Sequence, residues 1–187
     1  MSQTEPATGA GTEVTPPVEP IRVLIPSSIG ALGLELEGEL IRRVAMAPVG
    51  NDRKLFTPLA DLKSTDRSDW LDEVIGRFSE YLAGARRQLD LKYDLGTLGL
   101  PPFSRRVLRE AAKIPYGRTR TYQQIATNAG RSDGYRQVLS VLVANPLPLV
   151  VPCHRVVTTK SGVGSYVGGA KRKKALLKME EKNFTLV

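Results

Sequence analysis

The chain has 187 residues, 41% of them apolar, with one cysteine and one histidine. That length suits one ordinary domain or two small ones sharing a core. It carries too little Cys and His for a disulfide framework or a four-ligand zinc site, so neither metal nor cofactor is expected. No stretch approaches the ~20 apolar residues that span a bilayer, and no basic segment followed by an apolar run opens the chain as a secretory signal would. The expectation is a cytoplasmic protein without membrane contact.

The net charge of +8 is uneven: residues 98–187 hold 16 basic and 4 acidic side chains, residues 21–97 hold 11 and 12, and residues 1–20 hold three glutamates and no Lys or Arg. A basic excess confined to the second half points to an anionic partner there, most simply nucleic acid. A merely solvated surface is the competing reading.

Residues 1–20, rich in Pro, Thr, Gly and Glu, read as a disordered tail. Arg22-Val23-Leu24-Ile25-Pro26 reads as a strand and Pro26–Gly30 as a turn. Leu32, Leu34 and Leu36 alternate with Gly33, Glu35 and Glu37, the period of a half-buried strand. Gly38-Glu39 turns the chain into a third strand, Leu40–Met46, and residues 51–68 read as a polar connection. Trp70, Val74, Ile75, Phe78 and Leu82 then recur at helical spacing, with Ser68 or Asp69 as cap and Gly84 as stop. A small α/β unit therefore spans 21–97.

The unit 98–187 reads as mostly helical. Phe103, Val107, Ala111 and Ile114 share a helix face with Pro102 at its start. Tyr122, Ile125, Ala126 and Ala129 mark a second helix, capped by Thr119 or Thr121. After the turn Gly130–Asp133, a third helix runs from about Gly134 to Ala144. Two short helices joined by a Gly-containing turn form a helix-turn-helix, whose second helix enters a DNA groove, or else an ordinary helical hairpin. Arg118, Arg120, Arg131 and Arg136 around the turn favour DNA. The run Leu147–Pro152 is expected to be extended, because each Pro disfavours helix at the residue before it. A Gly-rich segment follows, and residues 170–182 close the chain as a helix with Ala175, Leu176 and Met179 inward.

Cys153 is followed directly by His154 and Arg155. A thiolate is the nucleophilic form of cysteine and needs a base or a positive charge to form. On an extended backbone His154 would point away from Cys153, so it reaches the thiol only through a turn or a bridging water. Glu180 and Glu181, the only acidic residues after Asp133, are the candidates to orient the imidazole.

The string Asn145–Val157, with Pro152-Cys153-His154-Arg155 at its centre, closely resembles the active-site signature of the O6-alkylguanine-DNA alkyltransferases. Ile114–Tyr122 resembles the segment that opens their helix-turn-helix, Gly164–Gly169 their binding-pocket loop, and Lys173–Glu180 their last helix. The resemblance covers about residues 102–181, is looser over 21–97 and is absent over 1–20. It implies an α+β protein: a small RNase H-like α/β domain, then a winged helix-turn-helix domain carrying the active site. The implied activity is direct DNA repair. An alkyl group passes, once per molecule, from O6-alkylguanine (with O4-alkylthymine as a second substrate) to Cys153 after the nucleotide is flipped out of the duplex. Cys153, His154, Glu180 and Tyr122 would be catalytic. Arg136, Tyr122, Asn145, Arg155 and Arg120 would meet DNA from the minor groove, and Leu142, Val156, Tyr166 and Val167 would line the base pocket. Arg136 would fill the gap left by the flipped base, and Asn145 would act as a structural hinge. The partner is double-stranded DNA and the protein a monomer.

Three departures stand out against that family: Tyr135 and Leu139 where small residues are usual in the recognition helix, and Val167 where some members carry a hydroxyl. The alternatives are a non-catalytic lesion-recognition protein, a helix-turn-helix regulator and a Cys-His hydrolase. The first characteristically lacks the cysteine, the second has no use for Cys153-His154, and the third does not need the basic half.

Overall fold

The computed structural model describes residues 19–47, 50–158 and 162–184; the tail expected over 1–20 lies outside them except for Glu19 and Pro20. Strands β1 (Ile21–Ile25), β2 (Leu32–Glu37) and β3 (Leu40–Met46) form an antiparallel meander. The two-residue turn Gly38-Glu39 joins the last two, and Gly38 at φ 56° supplies the left-handed conformation such a turn requires. A register shift at Glu35/Leu36 lets Leu34, Leu36, Ile41 and Val44 all join the main core.

The connection over 51–68 is more structured than its polarity suggests. It contains helix α1 (Gly50–Lys54), strand β4 (Thr57–Pro58) and two short 3-10 turns. Strand β4 pairs parallel to β1, giving the sheet order β3-β2-β1-β4. Phe56 is the reason: its ring lies over Gly33, where a Cβ would fall 2.7 Å from it, and closes the sheet's second face with Leu24 and Ala45.

Helix α2 (Asp69–Leu82) starts as expected, with Ser68 Oγ accepting from Leu71 N at 3.1 Å, and ends at Gly84. Its buried stripe is Leu71, Val74, Phe78, Tyr81 and Leu82, while Trp70 and Ile75 are only partly covered. The outer edge of β3 is covered by later chain: Ile41 N donates to Lys92 O and Val44 N to Pro146 O. One apolar cluster thus runs from the sheet through α2 into the helices that follow.

Those helices are α3 (Pro102–Ala112), α4 (Tyr122–Asn128) and α5 (Tyr135–Val143). Helix α4 begins with a full capping box, Thr121 with Gln124. Strands β5 (Arg120–Thr121) and β6 (Val156–Val157) pair in parallel, which ties the start of α4 to the segment just after Cys153. Helix α6 (Ala170–Phe184) closes the chain. Its inward residues are Lys173, Leu176 and Glu180; Ala175 is exposed, against expectation. Lys173 faces inward because its ammonium finds oxygen partners there, described below.

Candidate active site

The expected extended run Leu147–Pro152 is a turn. Val151 N donates to Leu147 O at 2.8 Å, and Leu149 takes φ 74°. The prolines exclude helix but do not exclude a folded loop, and the Asn145 side chain pins one. Its Oδ1 accepts from Leu147 N at 3.0 Å, and its Nδ2 donates to Val151 O at 3.0 Å and lies 3.1 Å from Cys153 Sγ. Cys153 N reaches back to Val151 O at 2.7 Å, and Cys153–Arg155 then forms one 3-10 turn. The turned backbone that His154 needs is therefore present.

The turn delivers three consecutive side chains into the interior. Cys153 is 2% exposed and His154 is fully buried. His154 Nε2 lies 2.8 Å from Glu180 Oε1. A carboxylate only accepts, so Nε2 carries the hydrogen of the neutral ring and Nδ1 keeps its lone pair. Nδ1 is buried and has no partner within the described chain. Arg155 grips the same carboxylate: its Nε stands 3.1 and 3.0 Å from Oε1 and Oε2, and its Nη2 3.0 Å from Oε1. Its Nη1 donates to Ile114 O at 2.7 Å, and Gly117 N donates to Glu180 Oε2 at 3.0 Å.

These contacts set the protonation states. Burial pushes Glu180 up, but the bonds and charges of His154 and Arg155 outweigh it and hold the carboxyl at about 2. Burial lowers His154 against the opposing pull of Glu180. Burial raises the Cys153 thiol to about 11, partly offset by the Asn145 bond and the Lys173 charge. At neutral pH the resting site therefore holds a thiol, a neutral imidazole with a bare Nδ1, and a carboxylate.

Two buried residues of this region were not expected. Lys173 donates from Nζ to Val156 O at 2.5 Å and to Ser165 O at 3.2 Å, and burial lowers its pKa to about 8. Tyr81 of α2 donates to Glu180 Oε1 at 2.6 Å. Their helix faces could have been read from the chain, but not the partners they meet. Lys173 lies three residues before Leu176 and seven before Glu180, on one helix face, and Tyr81 shares the face of Val74 and Phe78.

The other expected site residues divide. Tyr122 is buried, with its hydroxyl donating to Ser165 O at 3.0 Å, and burial raises its pKa to about 12. Leu142, Val156 and Tyr166 are buried around the turn, and the Tyr166 ring meets His154 edge-on at 6.2 Å; Val167 is exposed. Arg136 is exposed on the first turn of α5. Arg120 lies 3.7 Å from Glu110. Two residues expected at the DNA are instead interior. Arg155 is 6% exposed, with its guanidinium turned to Glu180 and Ile114 O, and Asn145 is 3% exposed, with its side-chain amide bonded to Leu147, Val151 and Cys153. A signature read as a string does not tell which of its polar residues face inward.

Residues 102–182 match the family described as 6-O-methylguanine DNA methyltransferase, DNA binding domain. The methylated-DNA–protein-cysteine methyltransferase of Methanothermobacter thermautotrophicus is 44% identical over 111 residues, which is 59% of this chain and 61% of that protein. The one from Mycobacterium tuberculosis is 31% identical over 164 residues, 84% of this chain and 90% of that protein. A crystal structure of M. tuberculosis O6-methylguanine methyltransferase superposes with TM-score 0.74 at 29% identity, covering 88% of this chain and 94% of that one. A M. tuberculosis OGT structure in complex with DNA gives 0.73 at 30% identity, covering 87% and 93%. On this likeness of sequence and fold along most of its length, the chain belongs to the methylated-DNA–protein-cysteine methyltransferase family.

Proposed function

We propose that the protein repairs DNA by moving an alkyl group from O6 of guanine in duplex DNA onto Cys153, once per molecule. The observation that carries this reading is the Cys153–His154–Glu180 arrangement, in which one imidazole nitrogen is committed to Glu180 and the other is buried without a partner. The bare Nδ1 takes the thiol proton, through a bridging water where the two do not touch, and Glu180 stabilises the imidazolium. Sulfur attacks the alkyl carbon, an S–C bond forms as the C–O6 bond breaks, and the electron pair returns to the purine. The proton lost by the thiol ends on the guanine, with Tyr122 assisting. The thioether is not reversed by any group in the site, so each chain acts once.

An alkyl carbon inside a base stack offers no line of attack to a buried thiol, so the nucleotide is flipped out. Exposed Arg136 on α5 fills the gap, with α4 and α5 acting as the helix-turn-helix in the minor groove. The DNA complex of the M. tuberculosis relative supports DNA as the partner. We further read residues 21–97 as an RNase H-like unit and 98–187 as a winged helix-turn-helix unit.

Intact-mass measurement after incubation with a duplex carrying O6-methylguanine tests the proposal. One methyl group per chain is expected, located on Cys153 and absent in Cys153→Ser; an unmodified chain with the lesion intact would overturn it. The Arg136→Ala variant should lose reaction with duplex far more than with the free base. Equal losses would remove Arg136 from the flipping step.

A further inference from the structure

We infer that Tyr81 is a positioning residue of this site: the first half of the chain supplies, through α2, the hydroxyl that fixes which Glu180 oxygen receives His154. The inference rests on the function proposed above. Tyr81 stands 99 positions from Glu180 in the chain, yet its hydroxyl is the shortest bond to that carboxylate, at 2.6 Å to Oε1. The ring is buried and meets Tyr116 edge-on at 6.1 Å and 88°.

The phenol proton has one destination. Arg155 Nη2, 3.4 Å from the Tyr81 oxygen, is a donor only. His154 Nε2, also at 3.4 Å, already carries the hydrogen it gives Glu180. The hydroxyl therefore accepts from Arg155 and donates to Oε1, closing a ring of four residues around one carboxylate oxygen. That ring does more than fill space. It fixes Oε1 where His154 Nε2–H must meet it, and so leaves Nδ1 as the bare nitrogen of the imidazole. It also withdraws electron density from Oε1, which keeps the imidazole from holding a proton too tightly. Phenylalanine would match the volume of Tyr81 but would do neither.

The chain holds a single histidine, so the side-chain nitrogen signals of His154 are unambiguous in NMR. In the native protein Nε2 should carry hydrogen and Nδ1 should be bare. In Tyr81→Phe, Oε1 loses a donor and becomes the stronger acceptor, so the His154 titration midpoint should rise by about half a unit. The acid limb of the single-turnover rate on O6-methylguanine duplex should move up with it. The rate at neutral pH should fall about tenfold, as expected for the loss of one buried hydrogen bond, while duplex affinity stays the same. An unchanged midpoint and rate, with only thermal stability lowered, would reduce Tyr81 to packing and overturn the inference. Should Tyr81→Phe not fold, the hydroxyl proton of Tyr81 in the native chain is the second readout. It must shift in step with His154 titration, and independence of the two would also overturn the inference. A native chain that takes up no methyl group rejects the proposed function instead, and leaves the NMR outcome standing as a separate result.

Discussion

Cys153, the group that reacts under the proposed function, is buried at 2% exposure. Burial holds its thiol at about 11. Against an ordinary value of 9.0, that lowers the thiolate fraction at pH 7 by about 100-fold. The empty protein is thereby shielded from wasting its single nucleophile on soluble electrophiles. Labelling by iodoacetamide at pH 7 should be at least about 100-fold slower in the native chain than in urea-unfolded chain. Comparable rates would mean that Cys153 is open to solvent. Under the proposed mechanism, reactivity is a property of the occupied site, where transfer of the proton to His154 is coupled to attack.

At the scale of elements, the loop over 162–169 and helix α4 hold each other. Gly164 has φ 70°, and a Cβ built on it would fall 2.7 Å from the Tyr122 hydroxyl oxygen. That hydroxyl bonds Ser165 O, and Lys173 Nζ bonds the same carbonyl. Glycine is thus required twice, by its own backbone conformation and by the close approach of the Tyr122 ring. Gly164→Ala should cost about 1–3 kcal/mol in urea unfolding. It should also slow reaction with free O6-alkylguanine, because the displaced loop carries Tyr166 toward or away from His154. A variant as stable and as fast as the native chain would show that the loop yields freely. The capping box of α4 behaves differently: Thr121→Ala should cost about 1 kcal/mol and leave the chemistry intact.

At the scale of the whole molecule, two buried groups make stability depend on pH in the same direction. Burial lowers His154, so below its ordinary 6.5 the unfolded chain takes up a proton that the folded chain refuses. Glu180, held at about 2 against an ordinary 4.5, stays ionised in the fold while the unfolded carboxyl protonates. Its contribution is complete above 4.5 and is lost as pH falls toward 2. Urea midpoints should therefore decline below pH 6.5 and more steeply below 4.5. In Glu180→Gln the decline between 4.5 and 2 should be shallower, because that titration is gone; parallel curves would mean the carboxylate is not held low. The same variant strands Arg155 in the interior without its counter-charge, so its midpoint should be lower across the whole range.

Much of this protein is legible in local sequence. The β1–β3 meander, the caps at Ser68 and Thr121, the stop at Gly84 and the three helices of the second half depend on near neighbours and on apolar period, and they stand where the chain predicts them. The Cys153-His154 pair and the carboxylate at Glu180 are legible too, the latter because acidic residues are so scarce after Asp133. What local sequence misses are the contacts that form only between distant segments. Proline rules suggest an extended approach to Cys153, but Asn145 folds it into a turn by bonding across six residues. Arg155 is expected at the DNA and Lys173 is given no role by the chain, yet each is buried because oxygen acceptors from other elements meet it there. Tyr81 is not among the apolar positions that the helical spacing picks out, and only the tertiary fold brings its hydroxyl to Glu180. The sequence by itself determined most of the secondary elements and marked Cys153, His154 and Glu180 as candidates for the chemistry. The tertiary structure alone decided which charges turn inward, because burying a charge is stable only where partners from elsewhere in the chain converge on it.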